Sequence, residues 1–258
     1  MPLNWRGKKA VWLVLDIGNS AVKGGLYEDG RLHHTFRAAH ETASLATTLR
    51  AEIQAQPIER AGFSSVVPRS TAIVSNVLAE AEIAVTPIEH SMKIPFELAY
   101  RTPETLGTDR LAAAAAAWLL YGRGESRGVI ALDAGTAFTY EVIDRNGVYQ
   151  GGTISPGPGL MQRSLNRDTA QLPEVPLSLP DEPIGRSTVE AIQAGIMFGF
   201  IESVRGLLNR INGMLREDAF VVVTGGWGTL IKEQVSDVDA VEPHLVLEGV
   251  RLLMEMNG

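Results

Sequence analysis

The chain of 258 residues contains no cysteine. Disulfides and cysteine-based zinc sites are therefore excluded, and a reducing compartment is allowed without being proved. Basic charge is also in short supply: 23 Lys and Arg stand against 30 Asp and Glu, for a formal net charge of −7. The one basic cluster, Arg6-Gly7-Lys8-Lys9, reads as a solvated lead-in, so no nucleic-acid-binding face is expected. No apolar run approaches the roughly 20 residues of a membrane-spanning helix. The first apolar run stops at Asp16 and lacks a small-residue cleavage site, which argues against a signal peptide and makes the cytoplasm the expected location.

Familiar site signatures are missing too. There is no Gly-x-x-x-x-Gly-Lys-Ser/Thr loop, no Gly-x-Gly-x-x-Gly fingerprint and no His-Glu-x-x-His, and the 5 histidines are scattered. Ser20-Ala21-Val22-Lys23 matches Ser-x-x-Lys of the penicillin-binding enzymes, but the companion Ser-Asp-Asn and Lys-Thr-Gly elements are absent.

What is present is an ordinary globular composition, 45% apolar and 21% charged, arranged as alternating strand and helix patterns. Residues 11–17 read as a buried strand, with a hairpin turn at Asp29-Gly30. Helical patterns follow over 42–53 and 71–81, and strands over 63–67, closed by Pro68, and 83–88. A helix is expected over 105–121, where six consecutive alanines at 112–117 permit close packing. The pattern then restarts with a strand at 128–132 and a hairpin turn at Asn146-Gly147. A Gly/Pro-rich passage at 151–159 leads into a helix ending near 170, and 172–183 reads as an irregular surface segment. A long helix starts at Ser187, which forms a capping-box pattern with Glu190, followed by a strand at 219–223 and a closing helix at 245–256.

The restart reads as an internal duplication. Asp16-Ile17-Gly18 and Asp133-Ala134-Gly135 each end an apolar strand, and in both copies the hairpin glycine, Gly30 or Gly147, lies 14 residues beyond the aspartate. Two related α/β halves are expected, 1–124 and 125–258.

A carboxylate at the end of a buried strand is costly unless it meets cations, donors or water, and the following glycine lets backbone approach a ligand. One Asp-Gly alone reads as a tight turn; two at matched spacing read as a phosphate grip. In the first copy Asn19, Ser20 and Lys23 supply an amide, a hydroxyl and a positive charge; in the second Thr136 and Thr139 supply hydroxyls, and the position matching Lys23 by spacing is Tyr140. Thr224-Gly225-Gly226-Trp227, at a strand end, is suited to hold an adenosine or its ribose. By position alone Asp109 complements a helix dipole, Arg110 is a surface cation and Thr188 is the first residue after a helix cap.

Taken together these residues resemble the type III pantothenate kinases, within the acetate and sugar kinase/Hsc70/actin superfamily. The resemblance spans nearly the whole chain. It rests on Asp16-Ile17-Gly18-Asn19-Ser20 with Lys23, on Ser64-Ser65-Val66-Val67-Pro68, and on the segment from Tyr100 through Gly107-Thr108-Asp109-Arg110. It continues in Asp133-Ala134-Gly135-Thr136, Gly151-Gly152 with Ser155-Pro156-Gly157, Thr169-Ala170-Gln171-Leu172-Pro173, Ser187-Thr188, Gly195, Thr224-Gly225-Gly226 and Leu245-Val246-Leu247-Glu248-Gly249. Ser20 stands where threonine is usual, and Ala134 and Phe138 alter the second hairpin's usual side chains; no chemical group is lost.

The resemblance implies two ribonuclease H-like, actin-like ATPase halves with a nucleotide cleft between them. It implies ATP-dependent phosphorylation of pantothenate to 4'-phosphopantothenate, the first step of coenzyme A biosynthesis. ATP would meet Asp16, Ile17, Gly18, Asn19, Ser20, Ala21, Val22, Lys23 and Thr136, with Gly225 and Gly226 at the nucleoside. Asp133 would hold a monovalent cation, potassium or ammonium, and magnesium would accompany ATP. Asp109 would be the catalytic base, and Tyr100, Gly107, Thr108, Asp109, Arg110 and Thr188 would contact pantothenate. A homodimer is implied, with Thr188 reaching the neighbour's pocket and the long helix, whose stripe runs Val189, Ile192, Ile196, Phe200, Val204, Leu207, Leu208 and Ile211, at or near the interface; its glycines Gly195 and Gly199 lie on one side. The alternatives are another small-molecule kinase of the superfamily, such as a sugar kinase, and a non-catalytic regulator akin to family members first described as transcription accessory factors. A hydrolase lacks an evident water-activating residue.

Overall fold

The computed structural model describes residues 11–258, and the basic lead-in Arg6-Gly7-Lys8-Lys9 lies outside the described residues. The chain forms two compact units, each built on one mixed sheet. The first unit contains the chain up to Pro95, then Arg101–Ala116 and Leu245–Gly258; the second contains Phe96–Tyr100 and Ala117–His244.

In the first unit β1 (Val11–Ile17), β2 (Val22–Glu28) and β3 (Arg31–Ala38) form an antiparallel meander. Beside β1 lie β4 (Ile58–Ser65) and β5 (Ala84–Pro87), both parallel, giving the order β3-β2-β1-β4-β5. The meander turns at Asp29 and Gly30, both with positive φ, 51° and 74°. That is the two-residue hairpin geometry that asparagine, aspartate and glycine tolerate best. Between the strands run α1 (Thr42–Ala55) and α2 (Pro68–Glu80). Pro68 opens α2, where a missing N–H costs nothing, as well as following the strand. Leu13, Leu15 and Ile17 of β1 join Leu45 and Leu49 of α1 and Val74, Val77 and Leu78 of α2 in one core. Val14, on the opposite face of β1, is equally buried. This two-faced burial explains why β1 reads as a continuous apolar run.

The helix expected over 105–121 is shorter in the structure: after a 3-10 turn at Pro103–Thr105, α3 covers Thr108–Ala117 and holds all six alanines. A π-helical turn, Trp118–Gly122, replaces its last part. All six alanines are buried. The closing helix α7 (Leu245–Asn257) packs so closely on α3 that a methyl on Gly249 would run into the Ala112 backbone.

The second unit repeats the strand order. Here β7 (Val129–Ala134), β8 (Ala137–Ile143) and β9 (Val148–Pro156) form the meander, and β10 (Phe220–Thr224) and β11 (Ala240–Val241) add in parallel beside β7. The Gly/Pro-rich passage is thus mainly the last strand of the meander. One further strand, β6 (Glu97–Leu98), extends the sheet beyond β9. The helices are α4 (Pro158–Asp168), α5 (Thr188–Leu215) and α6 (Gly228–Gln234).

The Ser187 hydroxyl accepts the Glu190 N–H at 3.3 Å, and the Glu190 carboxylate accepts the Arg186 N–H at 2.6 Å, a capping box displaced by one residue on its return leg. By length and composition α5 would pass for a membrane span, as core helices of soluble proteins also do. Phe200, Ile201, Val204, Leu208 and Ile211 of α5 pack on the β7, β8 and β10 core. The irregular segment at 172–183 is partly inserted: Val175 is buried with Ile192, Ile196 and Met197.

Candidate functional site

Both aspartates stand where their strand meets the parallel neighbour. Asp16 pairs in register with Ser64 of β4, and Asp133 with Thr224 of β10. Equivalent places in the two sheets therefore carry a carboxylate beside a hydroxyl-bearing residue.

In the first unit Asp16 is 5% exposed and accepts a hydrogen bond from the Ser64 hydroxyl at 3.3 Å. Lys23, directly opposite on β2, brings its ammonium to 3.8 Å of the other carboxylate oxygen. Lys23 is 46% exposed, so the pair is loosely held and its charge is open to a ligand. Of the stretch expected to meet ATP, the side chains of Ile17, Ala21 and Val22 are core. Gly18, Asn19, Ser20 and Lys23 are the ones that reach the surface of the turn.

The start of α3 is tied to the same strand end. Thr108 Oγ1 accepts the Ser65 N–H at 2.9 Å and donates to the Ser65 carbonyl at 3.1 Å. Asp109, the next residue, takes the Arg110 N–H at 2.8 Å on its carboxylate. Gly107 lies close enough that a methyl there would come within 2.5 Å of that carboxylate. His90 Nε2 donates to the Leu106 carbonyl at 2.6 Å; because a carbonyl only accepts, this fixes the proton on Nε2. Leu106 and Thr108 are thus each tied to another part of the first unit. Nothing in the sequence singles out His90, and Ser64 and Ser65 carry a motif without revealing these bonds. A cavity of about 560 Å³, lined among others by Phe63, Ser65, Val67, Ile88 and Thr108, opens beside this corner.

In the second unit the β7–β8 turn is one residue tighter than its counterpart. Ala134 pairs with Phe138, whereas Ile17 pairs with Val22. The residue facing Asp133 is consequently Thr139, not Tyr140. Tyr140 is fully buried in the core, where desolvation pushes its phenol above the usual range. Counting along the chain misplaced this position because the extra residue in the first turn is offset by a longer second hairpin, where Gly147 with φ 77° closes a three-residue loop.

Gly225, at φ 88°, crosses the end of β7: a methyl there would lie 2.6 Å from the Ala134 carbonyl oxygen and 2.7 Å from Asp133 Oδ1. The Trp227 N–H bonds the Ala134 carbonyl at 3.2 Å. Asp133 Oδ1 and the Ala134 carbonyl oxygen, which also takes the Trp227 N–H, thus both lie beside the Gly225 backbone, two hard oxygens of the kind hard cations accept. Gly226 is exposed, with open space where a side chain would be. Thr136 is half-buried on the turn itself. Among the described residues no group of three or more His, Asp or Glu gathers to hold a metal ion.

Tyr100 lies on the second unit, against Tyr149 and Gly151 of β9. Thr188 is also there, but on a different feature: a groove of about 1240 Å³ between α4 and α5, whose lining includes Leu160, Arg163, Arg167 and Gly195 and no other expected site residue.

This fold is that of the sugar kinases and their actin-like relatives. Solved structures similar to the chain include a conserved Baf family protein from Campylobacter jejuni, with TM-score 0.60, 18% identity, and 94% of this chain and 97% of that one covered. An inorganic polyphosphate/ATP-glucomannokinase from Arthrobacter gives 0.51, 15% identity, and coverage of 96% and 98%. At these identities the likeness speaks for the fold alone. In sequence, the family model described as type III pantothenate kinase matches residues 12–210. Proteins named type III pantothenate kinase match almost end to end: one from Roseiflexus sp. is 37% identical, covering 95% of this chain and 98% of the relative. Another, from Chlorobaculum tepidum, is 34% identical with 98% of each covered. The chain belongs to the type III pantothenate kinase family.

Proposed function

We propose that the protein transfers the γ-phosphoryl group of ATP to the primary hydroxyl of pantothenate, giving 4'-phosphopantothenate and ADP. The observation that carries this reading is the corner at which the Thr108–Ser65 hydrogen bonds set Asp109 beside the end of β4, whose Ser64 in turn holds Asp16. Family membership supplies the substrate.

Phosphoryl transfer asks a protein mainly to position reactants and offset charge. Asp109 accepts the hydroxyl proton as the new O–P bond forms and the bond from the γ-phosphorus to the β-γ bridging oxygen breaks; the electron pair leaves with ADP, and the proton passes on to solvent. Its carboxylate accepts the Arg110 N–H, which helps to fix its orientation. Arg110 is suited to the pantothenate carboxylate, with Tyr100, Gly107, Thr108 and Thr188 around the rest of the substrate. Lys23, Asn19, Ser20 and Gly18 take the phosphates on the first hairpin and Thr136 on the second, while Gly225 and Gly226 offer open backbone to the nucleoside. Magnesium enters with ATP as part of that substrate. Asp133, with the Ala134 carbonyl oxygen nearby, would hold a monovalent cation, potassium or ammonium, which when bound offsets phosphate charge. The same reading makes the protein a cytoplasmic enzyme that works as a homodimer.

The test is a substrate panel. Purified protein with ATP, magnesium and potassium is expected to form phosphopantothenate and to leave sugars and acetate untouched. Phosphorylation of a sugar with none of pantothenate would make the protein a different kinase of the same fold.

A further inference from the structure

Glu141 is a buried carboxylate that the transfer chemistry does not use. It lies on β8, 1% exposed, and accepts a hydrogen bond of 2.5 Å from the hydroxyl of Tyr149 on β9, which is 0% exposed. Taking a carboxylate out of water is costly even when it is well bonded, and an apolar side chain would fill the same space. What the pair touches points to its use. The Tyr149 ring stacks on Phe96 with centroids 5.7 Å apart and meets the ring of Tyr100 edge-on at 5.9 Å.

Tyr100 is held by this strand in two further ways. Its approach runs through β6, where the Glu97 N–H bonds the Gly147 carbonyl at 2.9 Å and the Ala99 N–H bonds the Tyr149 carbonyl at 3.1 Å. Its ring lies over Gly151, where a methyl would touch it at 3.6 Å. The β8–β9 register slips there, with Val142 facing Gly151 and Ile143 facing Tyr149, and Gly151 takes φ 104°. Bulges of this kind re-aim side chains beside functional sites. All of these residues belong to the second unit.

We propose that Glu141 and Tyr149 are positioning residues for pantothenate binding: the hydrogen bond locks the Tyr149 ring, and that ring, with the Gly151 bulge, sets the Tyr100 ring at the angle at which it meets the substrate. The proposal rests on Tyr100 being a pantothenate contact. Tyr149→Phe keeps the ring and deletes the bond. The KM for pantothenate should rise on the order of threefold to tenfold, the scale of losing one hydrogen bond. The kcat and the KM for ATP should stay within about twofold, since Tyr149 touches neither the reacting atoms nor the nucleotide stretch. In a Tyr100→Ala background the same change should add nothing, because the residue through which it acts is gone.

Glu141→Gln, which keeps the volume and an acceptor, should shift the pantothenate KM in the same direction by less, and it carries the measurement if Tyr149→Phe folds poorly. A purely structural pair would lower the thermal midpoint while leaving the ratio of the two KM values unchanged, and that result overturns the proposal. Equal effects of Tyr149→Phe with and without Tyr100 overturn it as well. If Tyr100→Ala raises the pantothenate KM but a folded Tyr149→Phe does not, the positioning role alone falls. If Tyr100→Ala itself leaves that KM unchanged, the contact reading falls and takes the positioning role with it.

Discussion

Asp109 has two readings that a single substitution separates. At the first turn of α3 a carboxylate favours the helix dipole by about 0.3–1 kcal/mol, a stability effect. As a base it would govern turnover. Asp109→Asn keeps the shape and should lower kcat by about two to four powers of ten, with ATP binding by calorimetry nearly unchanged. Near-normal turnover in a folded variant would leave only the dipole role. Asp133 gives a second residue-level expectation. Where β2 offers Lys23 opposite Asp16, β8 offers the neutral Thr139 opposite Asp133. A monovalent cation on Asp133 would balance the phosphates on that side, so rates should fall when potassium is replaced by sodium at matched ionic strength, and Asp133→Ala should remove the difference between the two salts. Equal rates in both salts with the unaltered protein would dismiss the cation site. The matching strand-end positions of Asp16 and Asp133 were legible in the sequence, because two Asp-x-Gly turns stand there at one spacing, whereas Asp109 by position alone reads only as a helix-dipole partner. His90 and the Glu141–Tyr149 pair were not, because one side chain on a loop, or a pair separated by a hairpin, leaves no local pattern.

At the scale of elements, periodicity located most strands and helices because burial is two-faced in β1 and one-faced in α5. It failed where neighbours decide. The two-residue β6 exists because β9 lends it carbonyl acceptors, and Gly151 and Gly152 lie in a strand despite their composition. The α3–α7 contact was only half visible: six alanines announce that something comes close, not that it is the last helix of the chain. Gly249→Ala tests how close. The added methyl would meet the Ala112 backbone, which cannot swing aside as a side chain would. Overpacking of this kind costs about 1–3 kcal/mol or more. The chemical denaturation midpoint should fall accordingly. An unchanged midpoint would mean that α7 is free to shift outward, against the tight packing that holds the helix in the first unit.

At the scale of the molecule, the duplication was readable from two Asp-x-Gly turns at one spacing, and both sheets have the same order of meander and parallel strands. The compact units are not two contiguous lengths of chain, since α7 joins the first and Phe96–Tyr100 the second; long-range packing of that sort is written in no local motif. Assembly is the property that a single chain leaves to argument. Most of the apolar stripe on α5 is spent inside its own unit, for Ile192, Ile196, Phe200, Val204, Leu208 and Ile211 are buried and Leu207 is partly so. What remains outward is the start of the same stripe, Val189, 42% exposed, with the exposed Gly195 and Gly199, around which a Cβ would meet nothing within 4 Å. Beside it Leu160 and Leu165 of α4 are also exposed. A second copy seated on this face would bury those groups, and Thr188, which lines the groove between α4 and α5, would be carried toward the neighbour's substrate. Dimerisation would then be needed for pantothenate binding and not only for stability. Light scattering at assay concentration should report a dimer. Asp109→Asn and Thr188→Val chains, each impaired alone, should regain activity when unfolded together and refolded as a mixture, because in a mixed dimer one pocket receives both an intact Asp109 and an intact Thr188. A fully active monomer would overturn the dimer, while a dimer without complementation would confine each site to one chain.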